Sequence, residues 1–370
     1  MRVAVVGGGA VGTTAAYDLA DRGASVVLYE KGEIGGASTG RAAGVLYDAF
    51  AAPEDARVGD RAIERFRAFS GEGEFEFRET PYVLLAREGD RKRADAIREQ
   101  VPRMREADRE VAFADPDELR DRFPAVEWDD VGVAAVAENA GCTLPGAYAD
   151  LLAEKAREAG AEIRTHTAAR LDPDGPSVET DAGSASFDAV VVAAGAHTKR
   201  LLAAAGISVP LKPYRVQALT AGFDDEKGSL PMVYDATEGY YLRPHPDGLL
   251  SGDGTEEVES DPDEWKRDAD EAFVDATRER LDHRVGDFGP VEDAWAGLCV
   301  ATPDRDPLVG ELRDGVFVAA GWQGHGFMRA PALGEAAAEA VLGDSPVPEF
   351  DPTRFDGDEA FEIVEGMAVD

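Results

Sequence analysis

The sequence has little sulfur, few histidines and little lysine. Only two cysteines, Cys142 and Cys299, occur in 370 residues; they lie far apart and outside any CxxC pair, so no disulfide framework is expected. His166, His197, His245, His283 and His325 show no metal-ligand spacing, and no metal site is expected. No apolar run approaches the roughly eighteen residues that would cross a bilayer, so no membrane span is expected. The opening residues run straight into a glycine turn without a charged leader or cleavage site. A secretory signal is therefore not expected, and the expected location is the cytoplasm.

Basic charge is also short, with 38 Lys and Arg against 74 Asp and Glu, a formal net charge of −36. Such a field repels nucleic acid and anionic lipid, and neither is expected as a partner. The acidic residues are spread from Asp18 to Asp370 rather than gathered in one block, which excludes an acidic tail. Periodic apolar segments exclude disorder. A folded, halophilic protein fits best, because molar salt (Debye length ~3 Å at 1 M) screens self-repulsion. The preference for arginine over lysine agrees with that expectation.

What is present begins with an apolar run, Val3-Ala4-Val5-Val6, read as a strand buried on both faces. Gly7-x-Gly9-x-x-Gly12 follows and opens a helix marked by Val11, Ala15, Leu19 and Ala20, which Gly23 stops. Gly7 permits the tight turn, Gly9 lets backbone approach a pyrophosphate, and Gly12 allows close helix–strand packing. Ala10 and Val11 sit where the helix N-terminus presents N–H groups to the phosphates. The second strand, Ser25 to Tyr29, leads to Glu30, placed to accept from ribose hydroxyls and to repel a 2′-phosphate. Strand, turn, helix and acid in this order point to a dinucleotide; the motif alone leaves FAD and NAD both open.

The rest of the chain divides discontinuously. Residues 1–78, 137–213 and 295–346 read as a nucleotide-binding domain, 79–136 and 214–294 as inserts forming a second domain, and 347–370 as a surface tail. An acidic helix is expected from about Asp261 to Leu281 and another from Ala330 to Leu342.

Four further stretches carry a resemblance. Gly35-Gly36-Ala37-Ser38-Thr39-Gly40-Arg41-Ala42-Ala43-Gly44 is a loop of small residues directly after the nucleotide strand. Thr302-Pro303-Asp304-Arg305-Asp306-Pro307-Leu308-Val309-Gly310 matches a TPDxxPxxG pattern, and Gly321-Trp322-Gln323-Gly324-His325-Gly326-Phe327 a GxxGHGF turn. Lys212 to Gln217 matches a crossover between domains. Together they make the chain resemble the D-amino-acid oxidase, glycine oxidase and sarcosine oxidase superfamily of flavoenzymes along nearly its whole length. The resemblance implies an α/β fold, with a Rossmann-like FAD-binding domain and an interleaved α+β substrate domain on a mainly antiparallel sheet. It implies FAD held by Gly7, Gly9, Ala10, Val11, Gly12, Glu30, Lys31, Ser38, Thr39, Gly40, Ala43, Gly44, Ala169, Ala194, Gly195, Gly324, His325, Gly326, Phe327 and Met328. Backbone N–H groups of the last turn would face the flavin N1–C2=O edge and stabilise the charge of the reduced ring.

The resemblance also implies substrate residues. Tyr241 matches a tyrosine that holds a substrate carboxylate, and Arg243, two residues on, shares its strand face and offers a guanidinium. The arginine that follows W-x-G-[LF] in the amino-acid oxidases is Cys299 here, after Trp295-Ala296-Gly297-Leu298. The covalent-flavin cysteine of sarcosine oxidases falls on Gly297 and their flavin-facing lysine on Met328, so FAD is expected to be non-covalent. Arg329 is expected to face away. A neutral substrate amine needs no general base, since hydride can leave its α-carbon for flavin N5. The expected activity is oxidation of a small amine or amino acid, with oxygen, a quinone or a carrier protein as acceptor. The alternatives are a 2-hydroxy-acid or polyol dehydrogenase, and a flavin-bearing subunit or assembly factor with little turnover.

Overall fold

The opening strand is buried because parallel neighbours and two apolar layers enclose it. In the computed structural model, which describes residues 1–224, 228–253, 255–344, 347–364 and 366, Arg2–Val6 pairs in parallel with Ser25–Tyr29 and with Ala189–Val192. The six-stranded sheet runs Leu308–Arg313, Val316–Ala320, Ala189–Val192, Arg2–Val6, Ser25–Tyr29, Glu162–Arg164. Its Leu308–Arg313 edge is antiparallel. Val3 and Val5 face a core that includes helices Ala10–Asp21, Pro145–Glu158 and Gly326–Leu342, while Ala4 and Val6 face a second core with Leu171, Val178 and Leu202. The strand therefore carries no polar alternation.

The second large sheet has eight strands, in the order Val291–Ala301, Lys212–Ala221, Gly248–Asp253, Tyr240–His245, Met232–Asp235, Tyr82–Arg87, Val131–Ala137, Val111–Ala114. Neighbours are antiparallel except Met232–Asp235 with Tyr82–Arg87. The expected architecture of a Rossmann-like sheet beside a mainly antiparallel one is what the chain adopts. Register decides which residues share a face: Tyr234 lies opposite Tyr241 and Leu84, Leu84 opposite Ala135, and Tyr82 opposite Ala137. These six residues form one face, with Arg243 two residues along from Tyr241. The other face buries Val83, Leu85, Trp128, Tyr240 and Leu242 against Phe273 and Leu281 of helix Glu271–Val285. Strands Lys212–Ala221 and Val291–Ala301 run across the divisions drawn at 213/214 and 294/295.

Three expectations need correction. The acidic helix starts at Glu271, not near Asp261. The Arg215 guanidinium binds the carbonyls of Lys266 and Asp268, and the Asp261 carboxylate accepts from the N–H groups of Asp263 and Glu264. Those backbone groups are thus engaged outside a helix. The later helix starts four residues earlier than expected, at Gly326. Residues 347–364 are not a surface tail, because Phe350 and Ile363 are buried and the Gln323 side chain donates to the Val364 carbonyl. Residues 345–346, 365 and 367–370 lie outside the described residues.

Candidate active site and cofactor cleft

Glycine is required at two positions of the first turn. Gly7 has φ +116, and a Cβ there would sit 2.3 Å from the Ala193 carbonyl oxygen. A Cβ on Gly12 would sit 1.9 Å from the Gly7 oxygen. Both contacts are impossible for a side chain, so the turn and the helix packing fix these residues. Helix Ala10–Asp21 opens at Gly9 with no side-chain cap and no acid in its first turn, leaving its positive end open to an anion. The Ala10 N–H donates to Thr39 Oγ1 at 3.0 Å, joining this turn to the small-residue loop. Glu30 accepts from the N–H groups of Gly8 and Gly32, both at 2.7 Å. The uncapped helix end and the side-chain-free approach at Gly9 fit a dinucleotide diphosphate.

The remaining expected cofactor residues gather around this turn. Ala194 and Gly195 (φ +54) leave the end of Ala189–Val192 beside Gly7. The segment leading to Ala169 lies along the acid, with Thr167 N–H donating to the Glu30 carbonyl and His166 N–H to that of Gly32. Lys31 Nζ is 2.8 Å from His197 Nε2, and that ring meets Asp263. Gly40 N–H donates to the Gly35 carbonyl, and Ser38 Oγ donates to the Leu298 carbonyl at 2.8 Å. Arg41 donates to the Ala296 carbonyl and accepts, through its own, from Trp295 Nε1. The loop is therefore laced to strand Val291–Ala301. Gly44 (φ +65) presses on the Thr143 carbonyl, where a Cβ would come within 2.1 Å.

Arg243 holds the same loop from the eight-stranded sheet. Its guanidinium donates to the carbonyls of Ala43, Pro244 and Thr143. It is 2% exposed, and among the described residues it makes no ion pair. Burial holds its pKa below the ordinary arginine value, offset by nearby Cys142 and Tyr241. Tyr241 is half-buried. It lies across Gly252, where a Cβ would meet its hydroxyl at 2.2 Å.

The glycine–histidine turn closes a cavity of about 340 Å³ against the tyrosine face of the sheet. Gly324, with φ +81, and His325 precede helix Gly326–Leu342. The Phe327 ring packs on Phe66 and Tyr148, and Met328 is buried in the same core, so their backbone is what reaches the turn. Tyr47, Phe50, Tyr82, Tyr234 and His325 are among the cavity's walls. Tyr47 Oη is 3.2 Å from His325 Nε2. Burial pushes the Tyr47 phenol up to about 12. Burial, with help from the Arg329 charge, pushes His325 down to about 3. Both groups are thus neutral near pH 7 and share a hydrogen bond.

Arg329 corrects a further expectation: it does not face away. It is buried, lines the cavity, lies over the Phe50 ring at 4.6 Å and pairs with Asp55 at 2.8 Å. Its place four residues after His325 on one helix face was the available signal. Sequence reasoning also passed over Tyr47, Asp55 and Asp306, which come from separate segments. Cys299, at the amino-acid oxidases' arginine position, packs with Tyr214, Val216 and Ile363.

A dinucleotide turn, a loop laced to the eight-stranded sheet and an aromatic cavity at a glycine–histidine turn define a flavoprotein oxidoreductase. The chain belongs to the DAO family of FAD dependent oxidoreductases, whose profile matches residues 2–340. It is similar to 4-methylaminobutanoate oxidase (formaldehyde-forming) of Paenarthrobacter nicotinovorans, 26% identical across 96% of this chain. It is also similar to glycine oxidase of Bacillus subtilis, 24% identical across 91% of this chain. The chain spans 45% of the first relative's length and 92% of the second's. L-Proline dehydrogenase from P. horikoshii superposes with TM-score 0.87 at 28% identity, covering 96% of this chain and 97% of that one. FAD is the cofactor, and Gly297, at the covalent position, offers no sulfur for a linkage. No helix among the described residues is long and apolar enough to cross a membrane.

Proposed function

We propose that this protein oxidises a small amine or amino acid in the cavity between the glycine–histidine turn and the tyrosine face of the sheet. The observation that carries this reading is the aromatic cavity of about 340 Å³, sized for a small molecule and bounded by the turn that the family places at the flavin. FAD supplies the acceptor, at its N5, for a hydride leaving the substrate's α-carbon, and the resulting imine hydrolyses in water. Residues 1–78, 137–213 and 295–346 serve the cofactor; 79–136 and 214–294 serve the substrate.

The protein's own groups orient rather than exchange protons. Tyr47 and His325 stay neutral and hydrogen-bonded, fixing the turn. Arg243 positions the small-residue loop through the Ala43 carbonyl. Among the described residues Arg243 is a buried cation without an ion pair, which favours an anion beside it and beside the Tyr241 hydroxyl. Neither residue lines the cavity, so a substrate carboxylate would reach this pair only from the cavity's edge. The test is anaerobic mixing of the purified yellow protein with amines, amino acids and 2-hydroxy acids. Bleaching by an amine or amino acid is the expected result. Bleaching by hydroxy acids alone assigns the alternative dehydrogenase chemistry, and bleaching by none makes this a flavin-bearing subunit with little turnover.

A further inference from the structure

The cavity holds more charge than the reading above uses. Asp55, Asp304, Asp306, Arg305 and Arg329 all line it. Most of this charge is matched within the protein. Asp55 pairs with Arg329 at 2.8 Å, and Asp304 with Arg354 at 2.7 Å. Asp306 and the neighbouring Arg305, itself exposed, differ: among the described residues neither side chain makes an ion pair, and the Asp306 carboxylate accepts no hydrogen bond. The Asp306 backbone is nonetheless fixed, with its N–H on Asp304 Oδ1 at 3.0 Å and its carbonyl on Arg354 at 2.9 Å. Arg305, before it, has φ +72, and Gln323, which also lines the cavity, has φ +45. Non-glycine residues rarely hold such conformations, and they persist where the surroundings over-determine them, often at functional sites. The loop is thus held so that one unpaired carboxylate faces an aromatic chamber.

We propose that Asp306 is the cation-recognition group of this cavity and selects substrates that enter with an ammonium. The proposal deepens the amine reading and rests on the cavity's being the substrate site; the bound ammonium loses its proton to water before hydride leaves the α-carbon. A carboxylate facing Tyr47, Phe50, Tyr82 and Tyr234 has two ways to favour an ammonium over a neutral analogue. It supplies the counter-charge, and the ring faces add their quadrupoles. Burial, then repulsion from Asp55 and Asp304, raises the Asp306 carboxyl to about 6, opposed by Arg329 and Arg354. An ammonium therefore meets an ionised partner at neutral pH and a protonated one in mild acid. Of the other groups facing the cavity, His325 stays neutral down to about 3 and Asp304 is paired with Arg354. Asp55, paired with Arg329, has its own carboxyl raised by burial, so the pH change is assigned to Asp306 only where Asp306→Asn abolishes it.

The test is equilibrium binding by calorimetry to the FAD-loaded protein, with tert-butylammonium and its neutral isostere tert-butanol as probes. The ammonium has no α-hydrogen, so it cannot be oxidised and heat of turnover does not intrude. The native protein is expected to bind the ammonium at least tenfold more tightly than the alcohol at pH 8. Asp306→Asn should bring the two within about twofold, and Asp306→Glu should restore the preference. In the native protein the preference should fall as pH drops through 6, a measurement that needs no variant to fold. Equal binding of the two probes by the native protein overturns the proposal. So does an undiminished preference in Asp306→Asn, or one that is level from pH 8 to pH 5. An Asp306-dependent preference in a protein whose flavin no amine bleaches upholds this inference while rejecting the amine-oxidation reading.

Discussion

Replacing Glu30 by alanine tests the cofactor site at its most specific point. The carboxylate accepts two backbone N–H groups at 2.7 Å, from Gly8 in the phosphate turn and Gly32 beyond the strand. Charge-assisted bonds of this kind are worth about 1.5–3 kcal/mol each. Glu30 is half-buried, so water can take over part of what the mutation removes. Those two bonds are made within the protein; what FAD would lose is a charge-assisted bond from its ribose hydroxyls to this carboxylate, about 1.5–3 kcal/mol, which corresponds to a rise in FAD dissociation constant of about ten- to a hundredfold. Glu30→Gln keeps one acceptor oxygen and should fall between the two proteins. Fluorescence titration of apoprotein with FAD measures all three, and thermal unfolding of the apoproteins checks that the fold survives. An unchanged FAD affinity in Glu30→Ala would falsify the assignment of this carboxylate to the cofactor site.

Other consequences are open to simple measurement. Acid precipitation should release the yellow colour into the supernatant, since position 297 has no sulfur; colour left in the pellet contradicts the non-covalent assignment. Arg65 and Asp18 form a buried bidentate pair at 2.8 and 3.0 Å. Arg65→Met should cost about 3–5 kcal/mol in denaturant unfolding by stranding the carboxylate, whereas Arg65→Met with Asp18→Asn should recover much of the loss. A double variant no better than the single refutes that account. His325 is held neutral with its pKa pushed down to about 3, against about 6.5 when unfolded. The unfolded chain therefore binds the extra proton first, so this group's stability contribution is complete above pH 6.5 and lost as pH falls from there toward 3, at about 1.4 kcal/mol per unit. His325→Gln should flatten the acid limb between pH 6.5 and 5 relative to the native protein; parallel limbs would show that other groups set it. With a net charge of −36 the fold should melt at lower temperature in millimolar than in molar potassium chloride. A level melting temperature removes the salt-adaptation reading.

The amino-acid sequence by itself determined what local chemistry controls. Gly7 and Gly12 are legible because a close backbone approach tolerates no Cβ, and that demand leaves the same mark in any chain. The strand Val3–Val6 is legible because burial on both faces erases polar alternation. The helix expected at Asp261 failed for a tertiary reason: Arg215, about fifty residues away, binds backbone carbonyls at Lys266 and Asp268. Residues 347–364 carry no periodicity, since Phe350 and Ile363 are buried singly against surfaces made by the rest of the fold. Only the tertiary structure turned Arg329 into the cavity, left Asp306 unpaired there and set Tyr47 against His325, 278 residues away. Each depends on which distant segments meet at a common wall, and a charge or an aromatic ring in sequence does not record its eventual neighbours.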